Sequence, residues 1–240
     1  MNQSRNATEA VSAPTGLHWP VMDNDRRPGN RRGQRSRQEI LDAASRVMAA
    51  RGYAGASMSV LARESGLPKS AFYHHFQSKA GLLSEVMARG AHAFFDAMRE
   101  SQASPPEGGS PRDRLHWYMR KTGEVIVEHQ DFLRLLFVLV MSSEAAEAPE
   151  AMRTVILVRD EGRSQMRRMI YSSFLPAGEA EAGAVADDLE HFGMAAFDGF
   201  TISLQSGDRK PMAEYTRQLA DGMAAAGEAR VAALSRAADI

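Results

Sequence analysis

From about residue 36 onward the apolar positions recur at intervals of three and four, the spacing of a helical face. Ile40, Ala43, Ala44, Val47 and Met48 mark the first stripe, which begins at Ser36 or Arg37 and stops at Gly52, a candidate C-cap. Ser57 offers an N-cap for a short helix over 58–65, and Gly66 closes it. Pro68 stands near the first turn of a third helix, where a missing N–H costs nothing, and "FQSK" breaks that helix. A long helix follows over about 79–100, with Leu82, Leu83, Val86, Met87, Phe94 and Met98 on its apolar side. "SQASPPEGGSP" reads as a loop. Beyond it the pattern predicts helices at about 112–129, 131–143, 150–174, 180–206 and 211–226. No segment sustains alternation of period two and none repeats, so the expected fold class is all-α.

Composition narrows the function. The 240 residues suffice for one large domain or two small ones, and 44% hydrophobic with 25% charged residues is ordinary for a globular protein. Cysteine is absent, which excludes disulfides and thiolate ligands and fits a reducing compartment. The N-terminus lacks a basic stretch followed by an apolar core, so no signal peptide is expected. The longest unbroken apolar run, Leu135 to Met141, is far too short to span a membrane. A cytoplasmic protein without membrane attachment is the expectation.

The net charge of −1 hides an asymmetry. Residues 1–80 carry 12 Lys/Arg against 6 Asp/Glu, and residues 81–240 carry 17 against 24. The basic third would attract a polyanion. Residues 1–34 are polar, aperiodic and expected to be disordered. They run into "RRPGNRRGQRSR", six arginines (Arg26, Arg27, Arg31, Arg32, Arg35 and Arg37) in twelve residues. Such a stretch is either a solubilising tail or an arm that lies along phosphates or enters a minor groove.

The segment 57–79 carries the chemistry. Two helices that cross closely need a small residue on the first, and Ala62 is one. Their turn needs a left-handed residue, which Gly66 supplies without a Cβ penalty. Leu61, Leu67 and Phe72 provide the apolar contacts of a helix-turn-helix, and Ser65 is the weak point, since alanine would pack better there. At about 100° per residue, Lys69, Ser70, Tyr73 and His74 fall on one side of the third helix and Phe72, His75 and Phe76 on the other. The first side suits a major groove: Lys, Ser and His reach base edges or phosphates, and Tyr bonds phosphate. Ala71 at its edge could touch a thymine methyl. Ser57 and Lys79 stand at helix N-termini, which favour phosphate. The rivals are a metal site and a plain surface helix. Adjacent histidines diverge by about 100° on a helix and cannot share one metal unaided. No H-E-x-x-H, P-loop, G-x-G-x-x-G or G-x-S-x-G pattern occurs, so neither an enzyme nor a cofactor is expected.

"SMSVLARESGLPKSAFYHHFQSKAGLL" resembles the DNA-binding signature of the TetR family of transcriptional regulators. The shared positions are Ser57, Leu61–Ala62, Gly66, Tyr73–His74–His75–Phe76, Lys79 and Leu82–Leu83, and the likeness covers about 35–85. Pro68 and Ser65 depart from the family pattern, which often has a capping Ser and an Ala there. The resemblance implies a helix-turn-helix domain over 35–80 that contacts double-stranded DNA through Arg35, Arg37, Ser57, Lys69, Ser70, Ala71, Tyr73, His74 and Lys79. It further implies a helical effector-binding and dimerisation domain over 81–228, with 229–240 as a C-terminal tail.

In that second part, Phe94, Met98, Trp117, Arg120, Phe137, Met141 and Met166 are the candidate pocket for a small apolar effector. Helices 180–206 and 211–226 carry several apolar stripes and are the candidate homodimer interface, through Phe192, Ala196, Phe200, Tyr215 and Leu219. A dimer reads two half-sites, so the operator should be a near-palindrome. The expected function is a repressor released from DNA by a small molecule. The alternative is a dimeric regulator with no such input, controlled by abundance or a protein partner.

Overall fold

A computed structural model describes residues 31–141 and 148–238, and among these it contains helices and no strand. In chain order the helices are α1 (Arg31–Gly55), α2 (Met58–Ser65), α3 (Lys69–Phe76), α4 (Lys79–Ser101), α5 (Pro111–Glu128), α6 (Gln130–Met141), α7 (Pro149–Phe174), α8 (Glu179–Gln205) and α9 (Met212–Ala238). A 3-10 turn, Leu175–Ala177, joins α7 to α8.

The expected punctuation is in place. Gly52 adopts φ +71°, kinking the end of α1, and Gly66 caps α2 in the left-handed region at φ +72°. The Ser57 hydroxyl accepts the Val60 N–H at 3.3 Å, and Ser78 likewise caps α4 by accepting from Gly81 N–H at 3.0 Å. Pro68 is the N-cap of α3, so the helix proper starts at Lys69. Gln77 ends α3 at φ +57°, where the Ser78 N–H reaches back to the Phe76 carbonyl at 2.5 Å. That is a γ-turn of the rare, strained sign. Ser110 and Asp113 form a reciprocal capping box at the start of α5.

Two ends run further than their patterns. Residues 31–34, expected to be part of the arm, are already helical, and the remainder of that arm, with Arg26 and Arg27, lies outside the described residues. At the other end α9 continues through 229–238, where a tail was expected. The segment is rich in Ala and Arg, both strong helix formers, and its larger apolar side chains, Val231 and Leu234, are too few to make a stripe visible.

α1, α2 and α3 pack around Ile40, Leu41, Met48, Leu61 and Phe72, all buried. The second group, α5 to α9, is bound by the α7–α8 and α5–α9 pairings. α4 belongs to both, placing Leu82, Leu83 and Val86 beside α3 and Phe94, Met98 among the later helices. At 1.5 Å per residue it is about 34 Å long. α6 packs against both α1 and α4. Where α6 meets α4, the Phe132 ring fills the space that a side chain on Gly90 would take.

Candidate nucleic-acid interface and core cavity

α3 presents two chemically distinct sides. Phe72 is fully buried and Phe76 nearly so, which contributes about 1.5–3 kcal/mol per ring to holding the helix in place. Lys69, Ser70, Tyr73 and His74 are all exposed on the other side, Tyr73 to 55%. Ala71 is half-buried and packs on the core. His75 is half-buried too, and that burial, with the neighbouring His74 and Arg37, pushes its pKa down.

The other expected DNA contacts divide. Arg35 is exposed and pairs with Glu39 one turn on, at 2.9 Å. Ser57 is exposed, with its oxygen engaged in the α2 cap. Arg37 is turned inward: it ion-pairs with Glu85 of α4 and lies over the Phe76 ring, 5.2 Å from its centre. Burial, then the nearby Arg89, lowers its pKa from the ordinary arginine value. Lys79 is half-buried, its ammonium 4.0 Å from the centre of the Tyr53 ring and 3.4 Å from the Ala54 carbonyl oxygen. Both therefore tie helices together. Ser65 corrects its expectation as a weak point. Its hydroxyl donates to the Ala62 carbonyl and accepts from the Leu67 N–H, each at 3.2 Å, so it satisfies the turn as alanine could not.

A cavity of about 80 Å³ lies between α4, α5, α6, α7 and α8. Of the expected pocket residues, Phe94, Met98, Phe137 and Met166 line it. Trp117 does not, being packed edge-on against Tyr118. Arg120 is exposed and pairs with Glu124 at 2.7 Å, and Met141 is 82% exposed. The pattern had not singled out Met169 as a lining residue, nor Met194, Gln165 or the Arg159–Asp198 ion pair of 2.6 Å. No group of three or more His, Asp or Glu that could hold a metal occurs among the described residues.

On α8, Phe192 and Ile202 are each 53% exposed, with exposed Ala195 and Gly199 between them. Of the expected interface residues, Ala196, Phe200 and Tyr215 are half-buried, and Phe200 stacks on Tyr215 with ring centres 4.8 Å apart. Leu219 departs from expectation: it is buried within its own chain, because α9 turns its large side chains toward α5 and α8. The outward side of α9 is small, with Gly222, Ala225, Ala226 and Ala229 exposed.

Residues 40–86, which span the buried core and exposed side of α1 to α3, match the bacterial regulatory proteins of the tetR family. That segment is a TetR-family DNA-binding region. It is 23% identical over 188 residues to the uncharacterised HTH-type transcriptional regulator YxaF of Bacillus subtilis, covering 77% of this chain and 93% of YxaF. It is 27% identical over 121 residues to the HTH-type transcriptional repressor NemR of Escherichia coli, a match spanning 50% of this chain and 59% of NemR. The transcriptional regulator FadR of Bacillus subtilis, solved in complex with stearoyl-CoA, shares the fold at a TM-score of 0.60 and 13% identity, over 78% of this chain and 97% of FadR. With this segment the chain is a DNA-binding transcriptional regulator. Among its described residues no helix is long and apolar enough to cross a membrane.

Proposed function

We propose that the protein is a homodimeric repressor that holds a near-palindromic operator through α3 and leaves it when a small molecule enters the cavity. The observation that carries the DNA half is the split character of α3: Phe72 and Phe76 anchor its back while Lys69, Ser70, Tyr73 and His74 stand free in solvent. Arg35, exposed on α1, and the N–H groups at the start of α2 behind Ser57 supply phosphate contacts beside it. The division into a DNA-binding part over 35–80 and an effector and dimer part beyond it follows the same logic, with α4 shared between them.

The effector half rests on the cavity. Four methionines, Met98, Met166, Met169 and Met194, line it, and unbranched thioethers repack readily around an apolar guest. Its walls reach the DNA-binding helices directly. α6 contributes Leu133, Leu136 and Phe137 to the lining and packs on α1, while α4 contributes Phe94 and Met98 and packs on α3. A guest that favours one arrangement of α4 and α6 would change operator affinity by about 5- to 150-fold for a coupling of 1–3 kcal/mol. NemR bears the name of a repressor and FadR was solved with an acyl-CoA, which supports both halves of the reading. The exposed apolar stripe of α8 and the small outward side of α9 supply the dimer surface.

Selection of bound duplexes from a random pool tests the first claim. A near-palindromic sequence should emerge, and its affinity should fall steeply with salt. If no sequence is enriched, the reading is wrong. A thermal-shift screen of small apolar molecules then separates an effector-responsive repressor from one with no such input, since only the former is stabilised.

A further inference from the structure

We propose that the effector is an amphipathic anion, a molecule with an apolar tail for the cavity and a carboxylate or phosphate for a polar recess beside it; this rests on the effector reading above. The recess, of about 220 Å³, opens where α4, α5 and α7 meet, and its lining is unlike the cavity's. It presents two guanidinium groups, Arg99 and Arg168, two hydroxyls, Tyr118 and Ser172, and the amides of Gln102 and Gln165. Gln165 and Met169 line both hollows, so a single layer of side chains separates them.

In that layer Gln165 is held by Arg168, which donates to its Oε1 at 2.8 Å, whereas Gln102 is held more weakly. Gln165 Nε2 donates to Gln102 Oε1 at 3.3 Å, and Gln102 Nε2 donates to Thr122 Oγ1 at 3.1 Å. The other neighbours of the Gln102 amide are sulfur atoms, Met98 Sδ at 3.4 Å and Met169 Sδ at 3.3 Å. Thioethers are poor acceptors, so turning this amide out costs little. It would join the hollows into one channel, apolar at one end and cationic at the other.

The cations are available. Arg99 pairs with Asp96 one turn away on an exposed surface, and Arg168 with Glu161 at 2.8 Å. The Arg99 pair lies open to water and contributes little, so a ligand anion can replace Asp96. Arg168 also donates to Ser164 Oγ and Gln165 Oε1, each at 2.8 Å, and Glu161 is largely covered, so at Arg168 an anion would take the place of these neutral acceptors rather than of the carboxylate. Behind them stands Arg114. Its partners are the backbone carbonyls of Ser172, at 3.2 Å, and Glu107, at 3.1 Å, and its Nε is buried with none among the described residues. Its positive charge is therefore balanced by no carboxylate in those contacts, and it favours a negative group in the recess.

The test uses the full chain and three ligands with one tail, decanoate, decyl phosphate and decan-1-ol, below their micellar concentrations, followed by titration calorimetry and operator release. At least one anion should bind about tenfold tighter than the alcohol, and the stronger of the two identifies the head group. The double variant R99Q/R168Q should lose that preference while binding decan-1-ol as before. Equal binding of all three, or an anion preference that survives R99Q/R168Q, overturns the proposal but leaves a tail-binding effector cavity intact. Binding of none of the three overturns the proposal and the effector reading together.

Discussion

The Arg37 guanidinium lies 5.2 Å from the centre of the Phe76 ring, so an arginine from the basic N-terminal run braces the back of α3. Its neighbour Arg35, two residues earlier, is exposed. Arg37→Ala should therefore cost about 1–2 kcal/mol of stability, from the lost ring contact and the Glu85 pair, and leave the salt dependence of DNA binding unchanged. Arg35→Ala should do the reverse: stability within about 0.5 kcal/mol, and a log–log salt slope reduced by about 1. Urea unfolding and anisotropy titrations at several salt concentrations check both.

Tyr73 is 55% exposed on the same side as Lys69 and His74. Replacing it by alanine removes no core contact, so the unfolding midpoint should hardly move. Operator affinity should drop by about 1–3 kcal/mol, a factor of roughly 5 to 150. A variant that binds the selected duplex as the parent does would show that α3 faces elsewhere.

Phe192 and Ile202 lie on one exposed stripe of α8. Phe192→Glu with Ile202→Glu places charges where two copies would meet. Sedimentation should show a folded monomer, and binding to a two-half-site operator should weaken far more than binding to a single half-site. A dimer that persists in the double variant would move the interface off α8.

Asp221 of α9 accepts from His116 Nε2 of α5 at 2.8 Å, from Arg112 at 2.6 Å and from Arg217 at 3.4 Å. The His116 hydrogen bond first, then the Arg112 contacts, hold its pKa below the ordinary 3.8. The sign follows: the folded state binds this proton less readily than the unfolded chain does, so the contribution is complete above the ordinary value and fades as pH falls through the depressed one. Asp221→Asn should lower stability at pH 7, and its deficit relative to the parent should close below about pH 4. A constant deficit from pH 7 to pH 2.5 would mean that the lost carboxylate charge is not the cause.

Much of this architecture is legible from the chain because its helix ends are chemically marked. Ser57, Gly66 and Ser110 each perform the local task their residue type suits, and α2 and α3 begin and end within a residue or so of where spacing puts them. Rotation about a helix axis is harder to read. Trp117 and Met141 are large and apolar, as pocket residues should be, yet neither faces the cavity. Which apolar side looks inward is decided by the packing of five helices, and no single stripe records that. The same holds for Leu219, whose side chain met its own core before any partner. Arg37 and Lys79 carry contacts that the sequence does not display. Each cation has an aromatic ring within reach, Phe76 and Tyr53, brought there only by folding.

The seat of Phe132 against Gly90 has a mechanical meaning. A ring lodged where a helix has no side chain acts as a detent: α4 cannot creep along α6 in small steps, because any slide must first lift the whole ring from its socket. If the cavity is filled, a helix so keyed would be expected to answer in one step rather than by degrees.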